Sequence, residues 1–435
     1  MTADRFGEVG QRLRGVEDSA RLLKRLYLVE RETMRALGAW HLSVADWDLK
    51  IAVPRDWWQD SLHADALRSR VLELRYPKRD VDSDHDPALV AFLETLTRAE
   101  TDAEFALGIY AVVKPALVEA YRIYLAGGDS LNDAPSFHHI SHILTDEQAQ
   151  LDEIASVLAA LPGEEHEAAQ SWMSYLEVSL SSIGGLLGER PRSAAPSDHP
   201  CAGRPAYRIP ERAARDPRFL PAVVESPLRR PRNAREQQVW YAIDHANEVW
   251  AAEVPGAMMW HFSEMPWQFY LDVARWGWDE MRHALMGKRR LDAWGFEMGV
   301  DYPMVGDPYH AILEKGGDLL DVMALLYYFE RMAPPIKQRD KVRYDELGDV
   351  ASAQDTDYDW ADEAIHLRFG YTWLNHILGD EAKTRLQPLV ARAGEMWETW
   401  LAERWERGED GYGPYMKRIE ARIAAAEAEA AGVPA

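Results

Sequence analysis

Two stretches of this chain carry Glu-x-x-His: Glu280-Met281-Arg282-His283 and Glu363-Ala364-Ile365-His366. Residues three apart share one face of a helix, so each stretch offers a carboxylate and an imidazole to the same point. Two such pairs, joined by one carboxylate from each of two other helices, make a dinuclear iron or manganese site inside a four-helix bundle. With 14 His among 435 residues, about one such match arises by chance, so the weight lies with the other carboxylates.

A chain leaving a mid-bundle site must climb about 15 residues, turn and return as many, because a helix rises about 1.5 Å per residue. Ligands on successive antiparallel helices then fall about thirty residues apart. Glu248 precedes Glu280 by 32 residues, and Glu330 precedes Glu363 by 33. The predicted metal ligands are therefore Glu248, Glu280, His283, Glu330, Glu363 and His366, in the helical windows 240–253, 267–294, 319–332 and 358–376. Glu253 is the reserve for Glu248; five residues on, it is turned about 140° around the helix, so both cannot face one core. Taken singly, each of these residues also reads as an acid on a solvated face or a His at a helix edge.

Carboxylates can bridge two metals and switch between one- and two-oxygen binding, and one imidazole per metal leaves positions open. Such oxygen-rich donors suit two Fe ions or an Fe/Mn pair. The expected chemistry is reductive activation of dioxygen followed by oxidation of a small organic substrate. Glu280 and Glu330 are expected to be the more mobile or bridging carboxylates, with Glu248 and Glu363 terminal or bridging. No Gly-x-Gly-x-x-Gly opens a strand-helix unit, so electrons are expected from an external donor. The alternatives are a metal-storing protein and a non-enzymatic helical scaffold with a vestigial site.

Around the ligands, Asp279 and Asp362 each point about 100° away from a ligand Glu and read either as acceptors for a neighbouring ligand His or as surface acids. Tyr327, one turn before Glu330, reads either as a group bordering the site or as core packing. Pro334 and Pro335 remove the N–H groups that would bond Glu330 and Arg331, which kinks the helix or ends it. Trp276 and Trp278 are among several tryptophans on these windows; most are expected to pack between helices.

The formal net charge of -23, from 72 acidic against 49 basic residues, disfavours a nucleic-acid partner. Cys201 is the one cysteine, which excludes an internal disulfide framework and fits a reducing cytoplasm; it is expected to be an exposed thiol. No run of about twenty apolar residues occurs, and no signal-peptide core follows Met1, so neither a membrane partner nor secretion is expected. The oligomeric state is open, a dimer being compatible.

The elements that must position these residues read as all-α. Helices are predicted at 18–50, from Pro54 to 76, and at 87–100, 102–126, 146–161 and 166–187. A Pro- and Arg-rich linker follows at 188–232, then the metal-site bundle at 233–380 and C-terminal helices at 381–435. The nine arginines between Arg204 and Arg235 are expected to pair with acidic helices, the other reading being an anionic ligand site. His138, His139 and His142 read as surface groups or inter-domain contacts.

The first 187 residues repeat the plan of the second half. Trp40-His41-Leu42-Ser43 answers Trp260-His261-Phe262-Ser263, and Trp58 to His63 answers Trp278 to His283. Val118-Glu119 is aligned with Phe329-Glu330, and Asp146-Glu147 with Asp362-Glu363. Asp60 then stands for Glu280, Gln150 for His366, and Glu30 or Glu32 for Glu248, so the metal is assigned to the second half.

His245-Ala246-Asn247-Glu248, Trp278 to His283, Phe329-Glu330-Arg331-Met332-Ala333-Pro334 and Asp362 to Gly370 resemble the ferritin-like di-iron carboxylate superfamily. The likeness is greatest to bacterial ferritin-like proteins of mostly unassigned function, related to di-iron tRNA hydroxylases. It implies two tandem ferritin-like four-helix bundles, with Glu248, Glu280, His283, Glu330, Glu363 and His366 as the ligands in the second. Where such relatives carry another Glu-x-x-His near the end of the first half, this chain has Glu147 and Gln150.

Overall fold

The computed structural model describes residues 13–83, 85–217, 221–222, 233–305, 308–409 and 413–430. These residues are helical apart from turns and connections, one isolated bridge, and one two-residue parallel pairing of β1 (Pro221–Ala222) with β2 (Met304–Val305). The chain divides into two compact units: the first runs to Ala36 and takes in Gln59–Tyr207, and the second holds Leu37–Trp58 and runs on from Arg208. The division differs from the linear one read in the sequence, because the turn between the first two helices groups with the later half.

The earlier helices are α1 (Val16–His41), α2 (Trp47–Glu73), α3 (Pro87–Thr95), α4 (Asp102–Leu107), α5 (Lys114–Ala126), α6 (Ala134–Ala160) and α7 (Gly163–Ser182). The single helix predicted at 18–50 is broken at residues 42–46, and Pro54 lies inside α2 instead of starting it. The missed signal is Asp46, whose carboxylate accepts the Leu49 N–H and starts α2 seven residues earlier than the proline would. The helix predicted at 102–126 contains a π-helical turn, Gly108–Val113, just ahead of Pro115, which has no N–H to continue the regular ladder. His138 and His142 are exposed on α6, their rings in edge contact, as the surface reading expected.

The later helices are α8 (Ala234–Ala246), α9 (Val249–His261), α10 (Trp267–Ala293), α11 (Pro308–Glu314), α12 (Leu319–Glu330), α13 (Ala333–Leu347), α14 (Val350–Leu378), α15 (Ala382–Glu406) and α16 (Gly413–Ala430). α10 packs against α8, α9 and α14, and α12 against α9, α14 and α15. The α8–α10 contact is close because Gly287 has no side chain: a Cβ there would stand 2.6 Å from the Ala242 carbonyl oxygen. Trp240, Ile243, Met281 and Leu291 are buried together in the core beside this contact. Each such side chain contributes roughly 1.5–3 kcal/mol on leaving water.

Pro334 and Pro335 end one helix and begin another. They occupy the first turn of α13, where their missing N–H groups have no intrahelical role. α12 starts on a reciprocal cap between Asp318 and Asp321, and α14 is bounded by the Asp349 cap and by Gly379 at φ 54°.

Arg204 and Arg215 pair with acids, as expected: Arg204 with Glu104 in the first unit and Arg215 with Glu253 in the second. Arg218, Glu225, Arg229, Arg230 and Arg232 lie outside the described residues. Cys201, expected to be exposed, is buried, its Sγ 3.7 Å from Ser171 Oγ. Among the described residues no helix is long and apolar enough to cross a membrane.

Candidate metal centre

The six predicted ligands come from four segments of the second unit. The window 240–253 is not one helix: it breaks at Asn247, whose side chain donates to the Ile243 and Pro303 carbonyls and holds the bend. Glu248 follows directly, at the N-terminal boundary of α9. Glu280 and His283 lie mid-α10, Glu330 closes α12, and Glu363 and His366 lie mid-α14. The structure brings all six together.

The groups form three overlapping sets of potential donors. One is Glu280, Glu330, Glu363 and His366, all buried; the others are His245, Glu248 and His283, and His283, Asp359 and Glu363. His283 Nδ1 lies 3.5 Å from Glu248, 3.6 Å from Glu280, 3.8 Å from Asp359 and 3.9 Å from Glu363. His366 Nδ1 lies 3.1 Å from Glu280 and 3.8 Å from both Glu330 and Glu363. Glu280 and Glu363 each turn one oxygen toward each imidazole, while Glu248 stands on the His283 side and Glu330 on the His366 side. The sequence left open which carboxylates bridge; here Glu280 and Glu363 are the two that face both imidazoles.

The donor atoms face one another without bonding. His283 Nδ1, His366 Nδ1, Glu248 Oε2, Glu330 Oε2, Glu363 Oε2 and Asp359 Oδ1 are all buried with no hydrogen-bond partner. Each such orphan costs about 1–3 kcal/mol, and so many aimed at one space is what a cation site requires. Buried carboxylates and imidazoles brought together in this way are groups that can hold metal ions.

A second layer holds the imidazoles. Nε2 of His283 lies 3.4 Å from Asp362, and Nε2 of His366 lies 3.5 Å from Asp279. Arg282 joins those two aspartates, at 2.6 Å from Asp279 and 3.0 Å from Asp362, and Arg275 also reaches both. The Trp276 indole N–H donates to Glu280 at 3.0 Å and to Glu330 at 3.1 Å, and its ring stacks on His366.

The charges are set by burial against neighbours. Burial pushes both imidazoles down, but Asp359, Asp362, Glu248 and Glu280 around His283, and Asp279, Glu280 and Glu363 around His366, hold both well above the usual range. Burial, reinforced by Glu363 and Glu280, raises Glu330 well above an ordinary carboxyl. Glu280 goes the other way: burial opposes it, yet the two imidazoles lower it.

Sequence reasoning missed Asp359, His245, Lys337 and the donor role of Trp276. Asp359 lies one turn before Glu363 on α14, and His245 lies three residues before Glu248, so helical spacing carried both. His245 Nε2 is 2.7 Å from Asp359 and orients it. Lys337, on α13, places its ammonium 2.6 Å from Asp359 and 3.2 Å from Glu248; no ligand motif signals it. The reserve ligand Glu253 is elsewhere, buried against Lys50 at 2.6 Å and Arg215 at 2.6 Å. Tyr327 is packing: its ring lies over Gly370, where a Cβ would meet it at 2.6 Å, and the Arg331 guanidinium sits 6.0 Å from its centroid.

A family model described as Protein of unknown function (DUF455) matches residues 181–428, a span that contains every group of this centre. No curated protein and no solved structure matches the chain.

Proposed function

We propose that this chain, which belongs to the DUF455 family of unknown function, is a non-heme di-iron oxidoreductase, an oxygenase or oxidase that activates dioxygen to oxidise a small organic substrate. The observation that carries the reading is the set of buried, unbonded donors facing one space from α9, α10, α12 and α14. On this reading the second unit is a ferritin-like bundle. Glu248, His283 and Asp359 would hold one ion and Glu330 and His366 the other, with Glu280 and Glu363 facing both imidazoles. When bound, a ferrous pair supplies electrons and open coordination positions for dioxygen.

The chain's own groups set the conditions for that chemistry. Asp362 bonds the outer nitrogen of His283 and Asp279 faces that of His366, so both rings stand with Nδ1 inward. Trp276 donates its indole N–H to both Glu280 and Glu330 and stacks on His366. A cavity of about 170 Å³ lined by Tyr241, His245, Glu248, Lys337, Tyr344 and Asp359 opens beside the His283 side, a size that suits a small molecule. Continued turnover needs an external electron donor, and a cytoplasmic setting agrees with the single cysteine.

Anaerobic loading with ferrous iron, followed by mixing with oxygenated buffer, tests this. The second unit should take up about two irons and consume dioxygen, and Glu330→Ala and His366→Ala should each lose iron. Full iron retention in both variants would reject the ligand set, and a loaded protein inert to dioxygen would reject the activity. A protein that binds no iron at all would leave the scaffold reading.

A further inference from the structure

The first unit holds a second cluster of its own. Glu30 on α1, Asp60 and His63 on α2, and Glu147 on α6 converge, all buried. His63 is 4% exposed, and its Nδ1 has no hydrogen-bond partner; nor do Glu30 Oε2 and Glu147 Oε2. That Nδ1 lies 3.5 Å from Glu30, 3.6 Å from Glu147 and 4.0 Å from Asp60. Its Nε2 is taken by Asp146 at 3.3 Å, so the unbonded nitrogen is held pointing inward.

These distances repeat those of His283. Glu30, Asp60, His63, Asp146 and Glu147 take the parts of Glu248, Glu280, His283, Asp362 and Glu363. Glu32 is excluded from the role of Glu30, because Arg31 and Arg35 hold it.

The other side of the cluster is changed. Sequence alignment paired Glu119 with Glu330, but Glu119 is exposed. The residue that reaches in is Lys114, 33 residues before Glu147, just as Glu330 precedes Glu363 by 33. Its ammonium lies 2.9 Å and 3.1 Å from the two oxygens of Asp60 and 3.0 Å from Glu147. Gln150, where His366 stands in the other unit, donates to Asp60 at 3.2 Å. A fixed cation thus occupies the space that a second metal would need, while the donors on the His63 side keep theirs.

We propose that the first unit binds one divalent metal ion, through His63 Nδ1, Glu30, Glu147 and Asp60, with the Lys114 ammonium standing in for the second ion of a pair. Three carboxylates against one ammonium leave a formal charge of minus two, which one divalent ion cancels. The ion ties α1, α2 and α6 together. The Tyr121 hydroxyl donates to Glu30 at 2.5 Å and closes that flank, as in a structural site. It stands apart from the oxidoreductase reading, since none of its residues belongs to the second unit.

Manganese(II) counting on the full chain, by electron paramagnetic resonance and metal analysis, tests it. The wild type should bind about three equivalents, and His63→Gln and Glu30→Gln about two each. In a His283→Ala/His366→Ala background about one equivalent should remain, and adding His63→Gln should abolish it. Adding Lys114→Glu and Gln150→His to that background should raise the count to about two, with the spectrum of a coupled pair. Wild-type counts cover the case in which the double variant does not fold. A His63→Gln protein that binds as much manganese as wild type would overturn the proposal, as would a folded His283→Ala/His366→Ala protein that binds none. Failure of the second centre alone reads differently: wild type then binds about one equivalent, and His63→Gln none.

Discussion

Nε2 of His366 on α14 faces Oδ2 of Asp279 on α10 at 3.5 Å. Asp279 is itself wholly buried and anchored by Arg275 and Arg282. The aspartate's charge therefore faces the outer ring nitrogen and leaves Nδ1 turned to the cluster, an arrangement that favours Nδ1 as the donor. Asp279→Asn should keep the fold and lower metal affinity about 10- to 100-fold, measured by competition with a chelator of known affinity. An affinity equal to wild type would show that Asp279 only neutralises its arginines.

Glu248 and Glu253 lie on the same stretch of chain and do opposite things. Glu253 is 1% exposed between Lys50 and Arg215, so Glu253→Gln leaves two cations beside a lost carboxylate and should cost about 3–5 kcal/mol in urea unfolding. Metal stoichiometry should not change. Glu248→Gln should do the reverse, weakening metal binding with little loss of stability. Equal metal loss in the two variants would mean that the break at Asn247 does not separate their roles.

That break shows where the sequence was legible and where it was not. Glu-x-x-His and the thirty-residue return spacing survive any small shift in helix ends, so Glu280, His283, Glu330, Glu363 and His366 could be placed together without knowing their packing. The end of α8 could not, because Asn247 ends it through a bond to Pro303, a residue far along the chain. Lys337 and Lys114 escaped for a related reason: a lysine in the first residues of a helix reads as a solvated charge until the acids facing it are known. The offset that joins Lys114 to Glu330 was open to counting. It was hidden by matching Glu to Glu, which selected the exposed Glu119.

The two imidazoles give the centre a definite pH response. Burial lowers them, but the carboxylates around them win, and both are held well above the usual imidazole range in the metal-free protein. The stability they contribute is complete below about pH 6.5 and is lost as pH rises through the raised values. A metal ion needs the neutral ring, so its binding strengthens in the direction in which the metal-free protein weakens, by up to about tenfold per pH unit for each proton displaced. Thermal melts from pH 6 to about 9 should show a falling metal-free midpoint and a smaller change in the loaded protein. A metal-free midpoint that climbs across this range would contradict the assignment.

Lys337 holds two of the carboxylates proposed as ligands on the His283 side. Its ammonium is 2.6 Å from Asp359 and 3.2 Å from Glu248, and although burial opposes its charge, those acids raise it well above an ordinary lysine. Two unit charges about 4 Å apart near a protein surface interact by roughly 4 kcal/mol, and the partial exposure of Glu248 screens much of that. Lys337→Met should therefore tighten metal binding on the His283 side at least about tenfold, while the metal-free protein becomes less stable because Asp359 and Glu248 lose their cation. Isothermal titration with manganese(II), set beside urea unfolding of the metal-free variant, reads both effects. Weaker metal binding in Lys337→Met would show that the ammonium orients the two acids for the ion instead of contesting them.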